Sequence, residues 1–183
     1  GIRVKADTGS GSISGVTISG AMVSGCAGSG VFISGESGTV DISRSQIFGN
    51  AENGIECADG EAGNLSLRLR LTSSIIHGND DAGTTHGIGY TVVGGKGFEI
   101  ANNTFCGNSL ALYIGSCGGS AVLKNNIFYS SNAGQAYLYS STAIPGFDSD
   151  YNCFYQHGGN IIGWESTAYA AVSSFASATG HDS

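Results

Sequence analysis

The chain has 183 residues, with 31 Gly against one Pro, 40% hydrophobic and 11% charged side chains, and a formal net charge of −7. One domain accounts for that length, and the apolar fraction is too high for a disordered Gly/Ser linker. Seven Lys and Arg are too few for the basic stripe of a nucleic-acid binder, and no apolar run is long enough to span a membrane, so neither partner is expected.

Taken from the N-terminus, the chain opens at Gly1 with no signal-peptide-like segment, which fits a mature product or a piece of something longer. A short apolar segment then recurs: Val31-Phe32-Ile33, Ile55-Glu56-Cys57, Ile88-Gly89-Tyr90, Leu112-Tyr113-Ile114, Tyr137-Leu138-Tyr139 and Ile161-Ile162-Gly163. The steps are 24, 33, 24, 25 and 24 residues. Between these lie alternating segments that align at the same offset: Val16 to Val23, Val40 to Ile47, Leu69 to Ile76, Phe98 to Phe105, Ala121 to Phe128 and Phe147 to Phe154.

Read across the units, one apolar column is Ile18, Ile42, Leu71, Ile100 and Leu123, and another is Val23, Ile47, Ile76, Phe105, Phe128 and Phe154. Strands this short cannot bury an inner face alone, but coils stacked about 4.8 Å apart can. Asn103, Asn126 and Asn152 share one register, with Asn102 and Asn125 beside them. Asn50, Asn79 and Asn108 share another, each after a Gly. Asn tolerates left-handed backbone, and stacked amides bond from coil to coil, so these positions read as the corners of a solenoid. After Trp164 the chain turns Ala-rich, which predicts a helical turn or two with Tyr169, Val172 and Phe175 on one side and Gly180 as its stop.

The strings Ile100-Ala-Asn-Asn-Thr-Phe105, Leu123-Lys-Asn-Asn-Ile-Phe128 and Ser149-Asp-Tyr-Asn-Cys-Phe154 resemble the repeat of right-handed parallel β-helix proteins of the pectin-lyase-like superfamily. The stretch from Trp164 to Ser183 is similar to the segment that succeeds such a coil in large secreted polysaccharide-active members. The resemblance runs from about Val16 onward. It implies an all-β fold: a single right-handed parallel β-helix over residues 1–183, a solenoid of about six to seven coils. Regular coils would occupy 1–160, and the last strand and a short C-terminal excursion 161–183. It also implies an extracellular or cell-surface location and a polysaccharide partner, but not a reaction, since lyases, hydrolases and adhesins share the repeat. Members usually carry an N-terminal capping helix and more coils, so the chain reads as the central to C-terminal part of a larger β-helix. Its uncovered end coil predicts end-to-end self-association.

For chemistry, the 33-residue coil departs most from the repeat, and long loops on a rigid scaffold are where sites tend to lie. It carries Asp80 and Asp81 between His77 and His86. A glycoside hydrolase needs two carboxylates, roughly 6.5–9.5 Å apart for inversion, and Asp80 and Asp81 with His77 or His86 are the catalytic candidates. A polysaccharide lyase would want a base and a cation, and Asp80, Asp81 and Glu52 offer the hard oxygens that suit calcium. The other reading of this loop is a solvated turn in which Asp and Gly serve geometry. Neither the family's spaced-Asp hydrolase motif nor an Arg-containing lyase signature occurs.

Three further features are legible. Asp41, Arg70 and Glu99 alternate in sign along one outward column, the pattern of a surface ion-pair ladder. Phe48, His77, Cys106, Tyr129 and Tyr155 come just after the second segment at successive coils. If they point outward, Tyr129 and Tyr155 with Glu52 are the substrate-binding candidates, because sugar rings stack on such surfaces. The five Cys share no zinc spacing and look structural, and Phe32, Tyr113, Leu138 and Ile162 are expected to turn away from the core. The sequence therefore supports two functions: a carbohydrate-active β-helix, lyase or hydrolase related, and a non-catalytic structural or adhesion solenoid that binds glycan, a partner or itself.

Overall fold

A computed structural model describes residues 1–5, 12–35, 37–58, 66–79, 86–92, 97–130, 138–140, 143–156, 159 and 161–182. Its strands stack into three sheets in which every third strand along the chain is a neighbour, the connectivity of a parallel β-helix. The first sheet runs through Ile2–Lys5, Val31–Ser34, Ile55–Ala58, His86–Val92, Leu110–Cys117, Leu138–Ser140 and Ile162–Trp164, and ends on Thr167–Tyr169, which pairs antiparallel. The second and third sheets are six-stranded and parallel throughout.

Both apolar columns read from the sequence exist in register. Ile18, Ile42, Leu71, Ile100 and Leu123 line the second sheet, with Ser149 next in the column, and Val23 through Phe154 line the third. Phe105, Phe128 and Phe154 stack with centroids 4.9 Å apart at both steps, so like sits on like along the core. Burying each such ring stabilises by roughly 1.5–3 kcal/mol.

The first sheet corrects one expectation. Val31, Ile55, Ile88, Leu112 and Ile162 are buried in one register column, and the backbone of Leu138 lies in it between Leu112 and Ile162. Ile162 is fully buried and not outward, and the backbone register of Tyr113 continues through Tyr139 to Gly163. The coil into Leu138 is one residue longer than the apolar pattern suggested, and a one-residue slip turns every side chain to the other face. Phe32 and Tyr113 do stand outward, in register with Arg3 and Glu56 and with Gly89.

The corners are built on backbone geometry. Arg44, Ser73, Asn102, Asn125 and Tyr151 all have φ between 51° and 59°, and Gly49, Gly78 and Gly107 have φ of 58°, 55° and 61°. Behind the first corner an amide ladder climbs the coils: Asn103 Nδ2 donates to Asn126 Oδ1 and Asn126 Nδ2 to Asn152 Oδ1, at 3.1 and 3.0 Å. Ser74 and Ser45 extend it downward, the Ser74 N–H donating to Asn103 and the Ser45 N–H to Ser74. Asn50, Asn79 and Asn108 form the second ladder, donating in the same sense.

At the C-terminal end Asp182 takes the place of a further Asn, its carboxylate accepting from the Asn152 N–H, Asn152 Nδ2 and Ser149 Oγ. The helix Val172–Thr179 carries it there, with Phe175 fully buried and Gly180 in the left-handed conformation as the stop. The Ala-rich segment is thus a cover for the last coil, with an antiparallel strand before the helix that the sequence did not announce. No described helix is long and apolar enough to cross a membrane.

Candidate functional site

The strands of the third sheet are three or four residues long, so alternation leaves two outward rows beside the core column. One row is Met22, Gln46, Ile75, Thr104, Ile127 and Cys153, and the other Ser24, Phe48, His77, Cys106, Tyr129 and Tyr155. Neither row contains Asp, Glu, Lys or Arg. Met22 is 70% exposed, Ile127 49%, Tyr129 44% and Tyr155 53%, which makes this an uncharged, largely apolar face open to solvent.

The rings on it are ordered. Phe48 and His77 lie parallel within 5°, centroids 4.7 Å apart, and Tyr129 and Tyr155 within 7° at 5.2 Å. Flat rings at that separation are too wide to lie side by side, so they oppose their faces in an offset stack. The expected row of aromatics is therefore present and outward, but it is not a pavement of ring faces. It is two short stacks, interrupted at Cys106, which is in register with His77 on one side and Tyr129 on the other.

The remaining candidates do not gather around this face. His86 belongs to the first sheet, where its backbone N–H and Nδ1 lie 2.8 and 3.2 Å from Asn53 Oδ1 and its ring stacks on Tyr113 at 4.7 Å. His77 belongs to the third, so the structure does not bring the two histidines together. Asp80 and Asp81 lie outside the described residues. Glu52 stands in the coil of Phe48, three strands from Tyr129 along the third sheet, and therefore does not share a site with the tyrosines. Its carboxylate is 3.5 Å from Ser29 Oγ, which lies 2.6 Å from Glu56. Both glutamates line a cavity of about 410 Å³ with Arg3, whose guanidinium sits 5.2 Å over Phe32.

The charged column on the second sheet is an ion-pair ladder. Arg70 bridges Asp41 at 3.2 Å and Glu99 at 3.1 Å, and Arg68 joins Glu99 at 3.4 Å. The bond to Glu99 foremost, then Asp41, holds the Arg70 guanidinium above its usual value. Such exposed pairs contribute little to stability. Farther along, Lys124 pairs with Asp148 at 2.6 Å. All five cysteines are free, Cys57 and Cys117 buried and Cys153 exposed. Among the described residues no group of three or more His, Cys, Asp or Glu is placed to hold a metal ion.

Sequence reasoning missed the two serines and the aspartate that extend the corner ladder. The signal was available, since Ser45, Ser74 and Asn103 each come directly after a residue at the same left-handed corner. Set against known proteins, the chain matches no family model, no curated protein and no solved structure.

Proposed function

We propose that this is a carbohydrate-active β-helix, of the pectin-lyase-like kind that its Asn-Asn repeat resembles, and that its described surface binds polysaccharide through the outward face of the third sheet. The observation that carries the reading is the pair of aromatic stacks on an uncharged, exposed sheet face. Sugars present apolar C–H groups beside their hydroxyls, and an apolar surface that carries aromatic side chains and no competing charge suits them. A location outside the cell or on its surface belongs to the same proposal.

Binding without cleavage is the form the described residues favour, because His77 and His86 stand on different sheets and do not converge on one site. A lyase or hydrolase reading rests on Asp80 and Asp81, with calcium as the cation their carboxylates would suit.

Affinity electrophoresis through gels containing soluble β-glucan, galactomannan, xylan or polygalacturonate tests the binding. The native protein is expected to be retarded by at least one of them, and the Tyr129→Ala/Tyr155→Ala double variant to run unretarded. Retardation unchanged in the double variant overturns the assignment to this face. Release of reducing ends or of unsaturated uronate, lost in Asp80→Asn/Asp81→Asn, would establish the enzyme instead.

A further inference from the structure

We infer that a cavity at the C-terminal end of the solenoid binds a small molecule through its primary ammonium group, with Glu165 as the counter-ion. The site lies on the cover of the last coil and not on the third sheet, so it stands or falls apart from the glycan-binding reading.

Strand Ile162–Trp164 turns back into Thr167–Tyr169, pairing Trp164 with Thr167 and Ile162 with Tyr169. Paired residues share a face, so Trp164, Thr167 and Tyr169 stand on one side of this hairpin. Together with Phe147 and His181 they line a cavity of about 510 Å³. The rings form a joined wall, with Phe147 4.5 Å from Trp164 and 5.0 Å from His181, centroid to centroid. A water takes about 30 Å³, so the space admits a molecule with a carbon skeleton, for which the rings supply apolar contact.

Glu165, which also lines the cavity, and Ser166 are the two residues of the turn, with φ of 47° and 65°. A two-residue turn with both φ positive favours Asn-Gly, and other side chains are strained there. The chain accepts that strain and holds a carboxylate beside the cavity. The four described ion pairs all lie on the second sheet, and none includes Glu165. No Lys or Arg lines the cavity, and the carboxylate of Asp182 is committed to Asn152 and Ser149.

A carboxylate without a partner, on a chain of net charge −7, selects a cation and repels a carboxylate or a phosphate. One carboxylate is too few for a calcium ion, which takes about six to eight oxygens. An ammonium ion needs a single counter-charge, and its remaining N–H groups need acceptors. The hydroxyls of Thr167 and Tyr169 line the same cavity, and neither is spent on another described residue. A carboxylate and two hydroxyls match the three donors of a primary amine.

Trp164 is the single tryptophan of the chain, so intrinsic fluorescence reports on the cavity directly. Putrescine and glucosamine are the amine probes, N-acetylglucosamine is the same sugar without the charge, and choline has the charge without N–H donors. At least one amine is expected to shift the emission saturably and N-acetylglucosamine to leave it unchanged, with choline at least tenfold weaker. Glu165→Gln keeps the length and removes the charge at an exposed position. It is expected to weaken amine binding about tenfold or more and to leave the urea midpoint unchanged. Equal responses to glucosamine and N-acetylglucosamine, no response to either amine, or full affinity in Glu165→Gln overturn the proposal. Choline bound as tightly as putrescine overturns the primary amine, since the hydroxyls would then play no part.

Discussion

Cys57 is 1% exposed in the inward column of the first sheet, in register with Ile33 and Tyr90. Burial pushes its thiol well above the ordinary value, and the nearby charge of Glu56 pushes the same way. The folded chain therefore keeps the thiol neutral where the unfolded chain ionises it. The resulting contribution to stability is present in full below the unfolded thiol's value, about 8.5, and is lost as pH rises from there toward the raised folded value. Urea unfolding measured from pH 7 to 10 is expected to show a decline above about pH 8.5 that Cys57→Val makes shallower; an equal decline in both proteins would contradict the burial argument. Gly54 makes a complementary point about small residues. A Cβ there would lie 2.7 Å from Asn79 Nδ2 and from the Gly87 carbonyl oxygen, so the second amide ladder can pass only because that position has no side chain.

The amide ladders are the elements that join corners into columns. Asn126 accepts from the Asn103 N–H and Nδ2 and donates to the Ile100 carbonyl and Asn152 Oδ1, all between 2.9 and 3.1 Å. Asn126→Ala strips partners from groups that are buried away from water, and is expected to cost about 3 kcal/mol. The measurement is the urea midpoint, which should fall while the slope stays constant; a change under 1 kcal/mol would show that water substitutes for the amide. The ladders were legible because Asn is conspicuous at a repeated register, whereas Ser45, Ser74 and Asp182 do the same work with less distinctive side chains. The aromatic row was legible as a row. The direction its ring faces look was not, because translation from coil to coil stacks like rings on one another, and that comes from three-dimensional spacing and not from alternation.

For the molecule as a whole, parallel stacking was readable because each strand repeats an apolar pattern at a near-constant step. The exception was the coil entering Leu138, where Tyr137-Leu138-Tyr139 and Ile161-Ile162-Gly163 offer apolar residues at either offset. Nothing local distinguishes the two registers there; the neighbouring coil decides, by pairing Leu112 with Leu138. The positions of His77 and His86 show the same limit. They are nine residues apart in sequence, but one coil's turn from the third sheet to the first separates them.

Ladder bonds such as those of Ser19 to Ser43 and Cys26 to Asn50 join residues 24 apart, always in adjacent coils. Among the described residues no bond of that kind reaches past its neighbour, so resistance to force is shared out one coil at a time and not held by a single clasp. Stretched between its termini with optical tweezers, the chain is expected to yield in a series of small steps, each releasing about 80 Å of extended backbone for a 24-residue coil. A single rip spanning the whole length would mean that the coils lean on one another more strongly than their hydrogen bonds indicate. A strip of sugar lying along the axis on the third sheet would tie several coils together, and the same tether experiment with glycan present would then show those coils letting go at once.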